Sequence, residues 1–326
     1  MLDPVIRGLS NERYHFGEEE RQYLSSTQLK LYKTSPKAYK YAVDNPDEDK
    51  SDALRLGSLF HSLMASFADR GGTWDGYRVW RSKIAVFTPP VNEKTGQPYG
   101  SATKAYKEAY DAFLQASAGK TIATAEEADL IHAMAQSLLD ECGATSAQTR
   151  KLLKWGEAEA SHFVEYEGCK FKFRPDLETK HKIVDWKTVS TDDFGERSIN
   201  SIISKFGYDI SAAFYQFMEH EQSGKWKQFY WVFVSKTPPH DAVMVDASKW
   251  TYSYDPEADI VMPQVGAIKM KALLDLHIKC VRENKWPGAE IYIPKADNGL
   301  RIMLPTPPTW EIDNAANILE QSLFNE

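Results

Sequence analysis

The sequence predicts an α/β protein: a central mixed sheet flanked by helices, preceded by a helical N-terminal region. Three observations predict it. Extended, apolar or alternating segments recur at 159–166, 171–176, 183–187, 228–234 and 242–246. Helical patterns stand beside them at 103–116, 125–141, 209–222 and 263–284. A chain of 326 residues, 42% hydrophobic and 12% aromatic, can bury a large core. The length suits one large domain with additions: an N-terminal helical region over 1–70, a loop excursion and helices over 71–150, a core over 151–300 and an appendage over 301–326.

Near the start, Ser25-Ser26-Thr27 before Gln28-Leu29-Lys30-Leu31-Tyr32 reads as a capped helix, and Ser35-Pro36-Lys37-Ala38-Tyr39 as a second. After the polar loop 45–52, Leu56, Leu59, Phe60, Leu63 and Phe67 recur at helical spacing and define a buried stripe. His61 flanks that stripe, one turn from Gly57, where the missing side chain allows a close approach. The segment 71–100, rich in Gly, Pro and Trp, reads as a long loop that could contact a substrate. Beyond the two helical patterns, Glu167-Gly168 turns the chain from one strand into the next, which ends on Arg174-Pro175-Asp176. The tail from Pro305 onward reads as an appendage ending in a short helix.

The N-terminus lacks the basic start and apolar run of a secretory signal, and no stretch approaches the length of a membrane-spanning helix, so the expectation is a soluble cytoplasmic protein. Three cysteines, Cys142, Cys169 and Cys280, are odd in number and far apart, which argues against a disulfide framework or a cysteine-held metal cluster. A net charge of −7 excludes a generic nucleic-acid coat. A local basic track remains open to the chain: Lys170, Lys172 and Arg174 alternate on one strand face, and Lys180-His181-Lys182 follows.

The chemistry concentrates in two segments, Phe171-Lys172-Phe173-Arg174-Pro175-Asp176 and Ile183-Val184-Asp185-Trp186-Lys187. In an extended strand Asp185 and Lys187 project the same way, about 6.6 Å apart, while Trp186 points to the other face. A carboxylate inside so apolar a run needs a partner or a cation. If the two strands pair, Asp176 joins Asp185, and two converging carboxylates can hold a hard cation such as Mg²⁺. The bland alternative is an Asp185–Lys187 salt bridge.

In this order and spacing the residues resemble the PD-(D/E)xK nuclease superfamily, and more narrowly the RecE-type phage and bacterial exonucleases related to the RecB nuclease domain. The resemblance spans most of the chain. It rests on Gly57-Ser58-Leu59-Phe60-His61, Glu159-Ala160-Ser161, Arg174-Pro175-Asp176, Val184-Asp185-Trp186-Lys187-Thr188, the stretch from Phe206 to Tyr215, and Lys285-Trp286-Pro287-Gly288. It implies a restriction-endonuclease-like core with His61, Asp176 and Asp185 as ligands of Mg²⁺, for which Mn²⁺ can substitute. The Trp186 carbonyl is a further candidate ligand, Lys187 acts near the attacking water, and Glu159 is a weaker, additional acid. Lys170, Lys172, Arg174, Tyr208 and Tyr215 are candidate DNA contacts. One departure stands out: relatives commonly carry Gln four residues before the tyrosine of the following helix, and this chain has Ser211 there, with Gln216 beside Tyr215.

The implied activity is Mg²⁺-dependent hydrolysis of DNA phosphodiester bonds, 5′→3′ on linear duplex ends in phage-type recombination. Implied partners are double-stranded DNA ends, a single-strand annealing protein and further copies of the chain in a ring, with no membrane. The setting would be the cytoplasm of a bacterial host. Two alternatives remain: a structure-selective or sequence-specific endonuclease with the same centre, and a catalytically silent DNA-binding or assembly module of the same fold. Intact Asp176, Asp185 and Lys187 argue against the silent module.

Overall fold

The structure is a computed structural model and describes residues 2–46, 52–139, 143–255 and 260–293. Cys142 and the 301–326 appendage lie outside the described residues. The centre is a five-stranded mixed sheet in the order Ala242–Asp246, Gln228–Ser235, Lys182–Val189, Leu177–Glu178, Glu157–Ala158. Only the pairing of Lys182–Val189 with Gln228–Ser235 is parallel, and it sets Asp185 opposite Trp231 and Lys187 opposite Phe233. Such a pair needs a crossover, and helices Glu196–Phe206 and Tyr208–Ser223 supply it.

Alternation along Lys182–Val189 divides the core. Val184 and Trp186 are buried against Leu59, Phe60 and Leu63 of helix Asp52–Ala68 and against helices Ala125–Leu139 and Ala144–Trp155. Ile183 and Val189 face the opposite layer, with Phe229, Trp231, Ile199 and Ile203. Asp185 and Lys187 share that second face by the two-residue period. A third cluster packs helix Val265–Glu283 and the capped helix Ser26–Lys30 against Phe171, Phe173 and Phe214. Ser25 and Gln28 make the reciprocal cap expected of that segment.

The two strands expected to pair around Asp176 do so differently. Cys169–Phe173 lies in a separate three-stranded sheet with Ser161–Tyr166 and Val5–Ile6, while Leu177–Glu178, just past Asp176, pairs with Ile183 and Val184. The register shows why. Ala158 opposes Leu177 and His162 opposes Phe173, so one hairpin keeps its register across three residues on each side that do not pair with each other. Pro175 cannot donate a ladder hydrogen bond, and Glu159 sits at φ 56°, a left-handed conformation that breaks a strand. The hairpin therefore serves two sheets, with Glu159 and Asp176 at the break.

The segment 71–100, expected as a loop throughout, contains helix Asp75–Lys83 and strand Ile84–Val86, which pairs in parallel with Thr121–Ala123. Trp80 is the reason: it is 1% exposed, and its indole N–H donates to Ser62 Oγ of the helix that carries His61. No described helix is long and apolar enough to cross a membrane.

Candidate active site

His61, Glu159, Asp176, Asp185, Trp186 and Lys187 meet in one cleft of about 2040 Å³. Helix Asp52–Ala68 delivers His61 because its apolar stripe is buried beneath, leaving the flank facing the end of strand Lys182–Val189. A Cβ added at Gly57 would meet no atom of the described residues within 4 Å, so Gly57 opens the helix onto the cleft.

The contacts are tight. His61 Nδ1 lies 3.2 Å from Asp176 Oδ1, and His61 Nε2 lies 2.9 Å from the Trp186 carbonyl oxygen, to which it donates. The Trp186 N–H donates to Asp176 Oδ2 at 2.7 Å. Lys187 Nζ lies 2.5 Å from Asp185 Oδ2 and 5.1 Å from the centre of the Tyr208 ring. Donor atoms of His61, Glu159 and Asp176 all fall within 4.8 Å of one another, which raises Glu159 to the same standing as the other acids.

The electrostatics follow from burial and proximity. Burial pushes Asp176 upward, but the charge and hydrogen bond of His61, together with Lys187, outweigh it and hold Asp176 at about 2. Burial acts unopposed enough on Asp185 to lift it to about 6, with Lys187 pulling down and Asp176 pushing up. Glu159 also rises to about 6, through burial and then the Asp176 charge. Burial disfavours charge on His61, yet Asp176 holds it above the ordinary imidazole range. Each acid has one cation beside it: His61 by Asp176, Lys187 by Asp185, and Arg174 Nη1 at 3.6 Å from Glu159.

Carboxylate oxygens, a carbonyl oxygen and one imidazole nitrogen are donors that suit Mg²⁺ or Mn²⁺, and among the described residues no thiol lines the cleft. The residues present fit the ion: His61, Glu159, Asp176 and Asp185 would hold it, with the Trp186 carbonyl adjacent.

A second cluster of potential ligands, His162, Glu178 and Glu219, has a different character. Lys227 Nζ lies 2.7 Å from Glu178 and 3.0 Å from Glu219, while His162 Nε2 lies 2.8 Å from Glu178. His162 Nδ1 faces Gln222 Oε1 at 2.7 Å, and the Gln222 amide nitrogen is spent on the Pro4 carbonyl. Both imidazole nitrogens therefore donate, and His162⁺ with Lys227⁺ neutralises the two acids. It is a closed internal network.

The basic track is placed otherwise than its exposure in sequence suggests. Lys172 is 3% exposed and donates to the Tyr14 and Glu20 carbonyls; Arg174 is 9% exposed and is held by Ser161, Asn11 and the Leu9 carbonyl. The N-terminal segment covers this strand face and takes up most of their donors, while Arg174 also lies 3.6 Å from Glu159 at the cleft. Lys170, itself outside the cleft lining, reaches Gln22 on that lining and the Tyr23 ring. Tyr215 packs on Phe173 and Phe229 with one edge on the cleft, and Gln216 donates to the Lys227 carbonyl, away from the site. Sequence reasoning passed over Lys30, which lines the cleft and is pulled down to about 8 by burial and then by Lys187. Its signal was its place at the end of a capped helix, which fixes where the side chain emerges.

A mixed sheet with an acid-rich cleft, a histidine from a preceding helix and a lysine two residues after an acid define the PD-(D/E)xK class. The chain belongs to the family described as PDDEXK-like domain of unknown function (DUF3799), whose model matches residues 25–289. None of the curated proteins matches this sequence. Among solved structures, the chain is similar to the crystal structure of a "Putative exonuclease" from Eubacterium rectale, at 16% identity and a TM-score of 0.43, over 93% of this chain and 97% of that one.

Proposed function

We propose that the protein is a divalent-metal-dependent deoxyribonuclease that hydrolyses phosphodiester bonds. The observation that carries this reading is the meeting of His61, Glu159, Asp176, Asp185 and Lys187 on one cleft floor, with two of the acids lifted to about 6. A bound Mg²⁺ would polarise the phosphate and make water at the site a better nucleophile. Strand geometry keeps Asp185 and Lys187 side by side. The Lys187 ammonium, braced by the Tyr208 ring, donates to the attacking water or to a non-bridging phosphate oxygen. Asp176 is oriented by the Trp186 N–H and by His61, so its carboxylate keeps its aim without substrate. Arg21, Lys30, Lys83 and Lys236 line the cleft and supply positive potential for a polyanion despite the net charge of −7.

The resemblance to RecE-type enzymes favours 5′→3′ action on linear duplex ends, a ring of subunits and an annealing partner in recombination. The test is degradation of end-labelled linear duplex beside a covalently closed circle, in Mg²⁺, Mn²⁺ or EDTA. The expected result is loss of the linear form alone, stopped by EDTA and by Asp185→Ala. Cutting of the circle would make the enzyme an endonuclease. Undiminished activity in EDTA or in Asp185→Ala would remove the proposal.

A further inference from the structure

Helices Glu196–Phe206 and Tyr208–Ser223 meet at Gly207, whose φ of 61° is open to glycine and strained for other residues. A side chain there would also come within 3.1 Å of Lys30 Cδ, so glycine lets Lys30 close on the junction. The turn places the rings of Phe206 and Tyr208 5.5 Å apart and 23° from parallel. Tyr208 has Lys187 on its ring, and Phe206 has Lys205 at 5.4 Å. The result is a row of cation, ring, ring and cation that ends at the catalytic lysine.

Two members of this group are unexplained by packing. Phe206 lines the cleft and, beyond its contact with Tyr208, leaves half of its surface exposed there. Lys30 Nζ donates to the Phe206 carbonyl at 3.3 Å, and the acids that act on it, Asp185 and Asp209, are already paired with Lys187 and Lys269. An ammonium in a cleft whose neighbouring acids are spent is poised for an outside anion. The Phe206 face turned away from Tyr208 is met by the exposed, flexible Lys205 side chain, which a stacking base would displace, and phosphate and base are one nucleotide apart in the same strand.

We propose that Phe206, Tyr208 and Lys30 form the subsite for the nucleotide next to the phosphodiester that is cut, with its unpaired base stacked on Phe206 and its phosphate held by Lys30. The strand then enters the centre single-stranded, and duplex ends are substrates to the extent that they fray. This rests on the nuclease reading.

The probe is a single-stranded DNA oligonucleotide carrying a terminal 2-aminopurine, titrated into the protein in EDTA while its fluorescence is followed. Stacking on the wild type should change the emission. Phe206→Ala should weaken binding by about 5- to 100-fold and remove the change, while Phe206→Trp restores both. Lys30→Ala should weaken binding and Lys30→Arg should recover it, with melting curves showing that each variant is folded. Wild-type affinity and emission in Phe206→Ala would overturn the subsite. Cutting assays in Mg²⁺ separate the two ideas: a wild type that cuts while Phe206→Ala cuts and binds equally well sinks the subsite alone, and a wild type that never cuts sinks the nuclease reading itself.

Discussion

Lys187 shares a strand face with Asp185 and ends 2.5 Å from its Oδ2, so the ammonium can serve as ion-pair partner or as donor to the reacting groups. The two roles differ in what its loss would change. Acting on the water or phosphate, Lys187→Met should slow cutting by about 10²- to 10³-fold while calorimetry finds metal affinity altered only a few-fold. A variant that loses metal binding but keeps its turnover at saturating metal would make Lys187 structural. The acids were legible at this scale because a carboxylate in an apolar strand has few bland explanations, and His61 because it flanks a clean helical stripe. Lys172 and Arg174 were not, since nothing local in a strand reports that a segment 150 residues earlier will cover it. Glu159 gained standing only through the left-handed kink that aims it at Asp176.

The interrupted hairpin is the element on which the site depends. Its register runs through the break, so the carboxylates of Glu159 and Asp176 stay opposed while each half joins a different sheet. The network of His162, Glu178, Glu219 and Lys227 ties the two halves to helix Tyr208–Ser223 on either side of the break. Removing one member of a buried pair strands the other, so His162→Ala should cost about 3–5 kcal/mol in denaturant unfolding, against under 1 kcal/mol for an exposed substitution. Glu178 holds His162 above its ordinary pKa against the opposing effect of burial. A raised folded-state value gives stability that is complete below about pH 6.5 and is lost as pH rises through the folded pKa. Wild type should therefore lose stability on the alkaline side relative to His162→Gln, and parallel pH curves for the two would contradict the charged-imidazole reading. Strands expected at 159–166 and 171–176 are found as Ser161–Tyr166 and Cys169–Phe173, and their assignment to a separate sheet was not legible, because a proline and one residue at positive φ decide it.

At the scale of the molecule, the mixed sheet and its flanking helices were legible wherever the period was clean. Helices Lys104–Ala116, Tyr208–Ser223 and Val265–Glu283 and strands Gln228–Ser235 and Ala242–Asp246 fall where the pattern puts them. Helices Asp75–Lys83 and Ala144–Trp155 were hidden, the first among glycines and prolines, the second by a polar surface that blurs its apolar stripe. What the whole fold adds is convergence: a helix before residue 70 and segments beyond residue 155 bring one imidazole and three carboxylates into a single cleft. Anomalous diffraction from crystals soaked in Mn²⁺ tests that convergence most directly. The expected result is a peak held by ligands from among His61, Glu159, Asp176 and Asp185 that vanishes in Asp176→Ala. A site without a peak at saturating Mn²⁺, or a peak held by none of these residues, would contradict it.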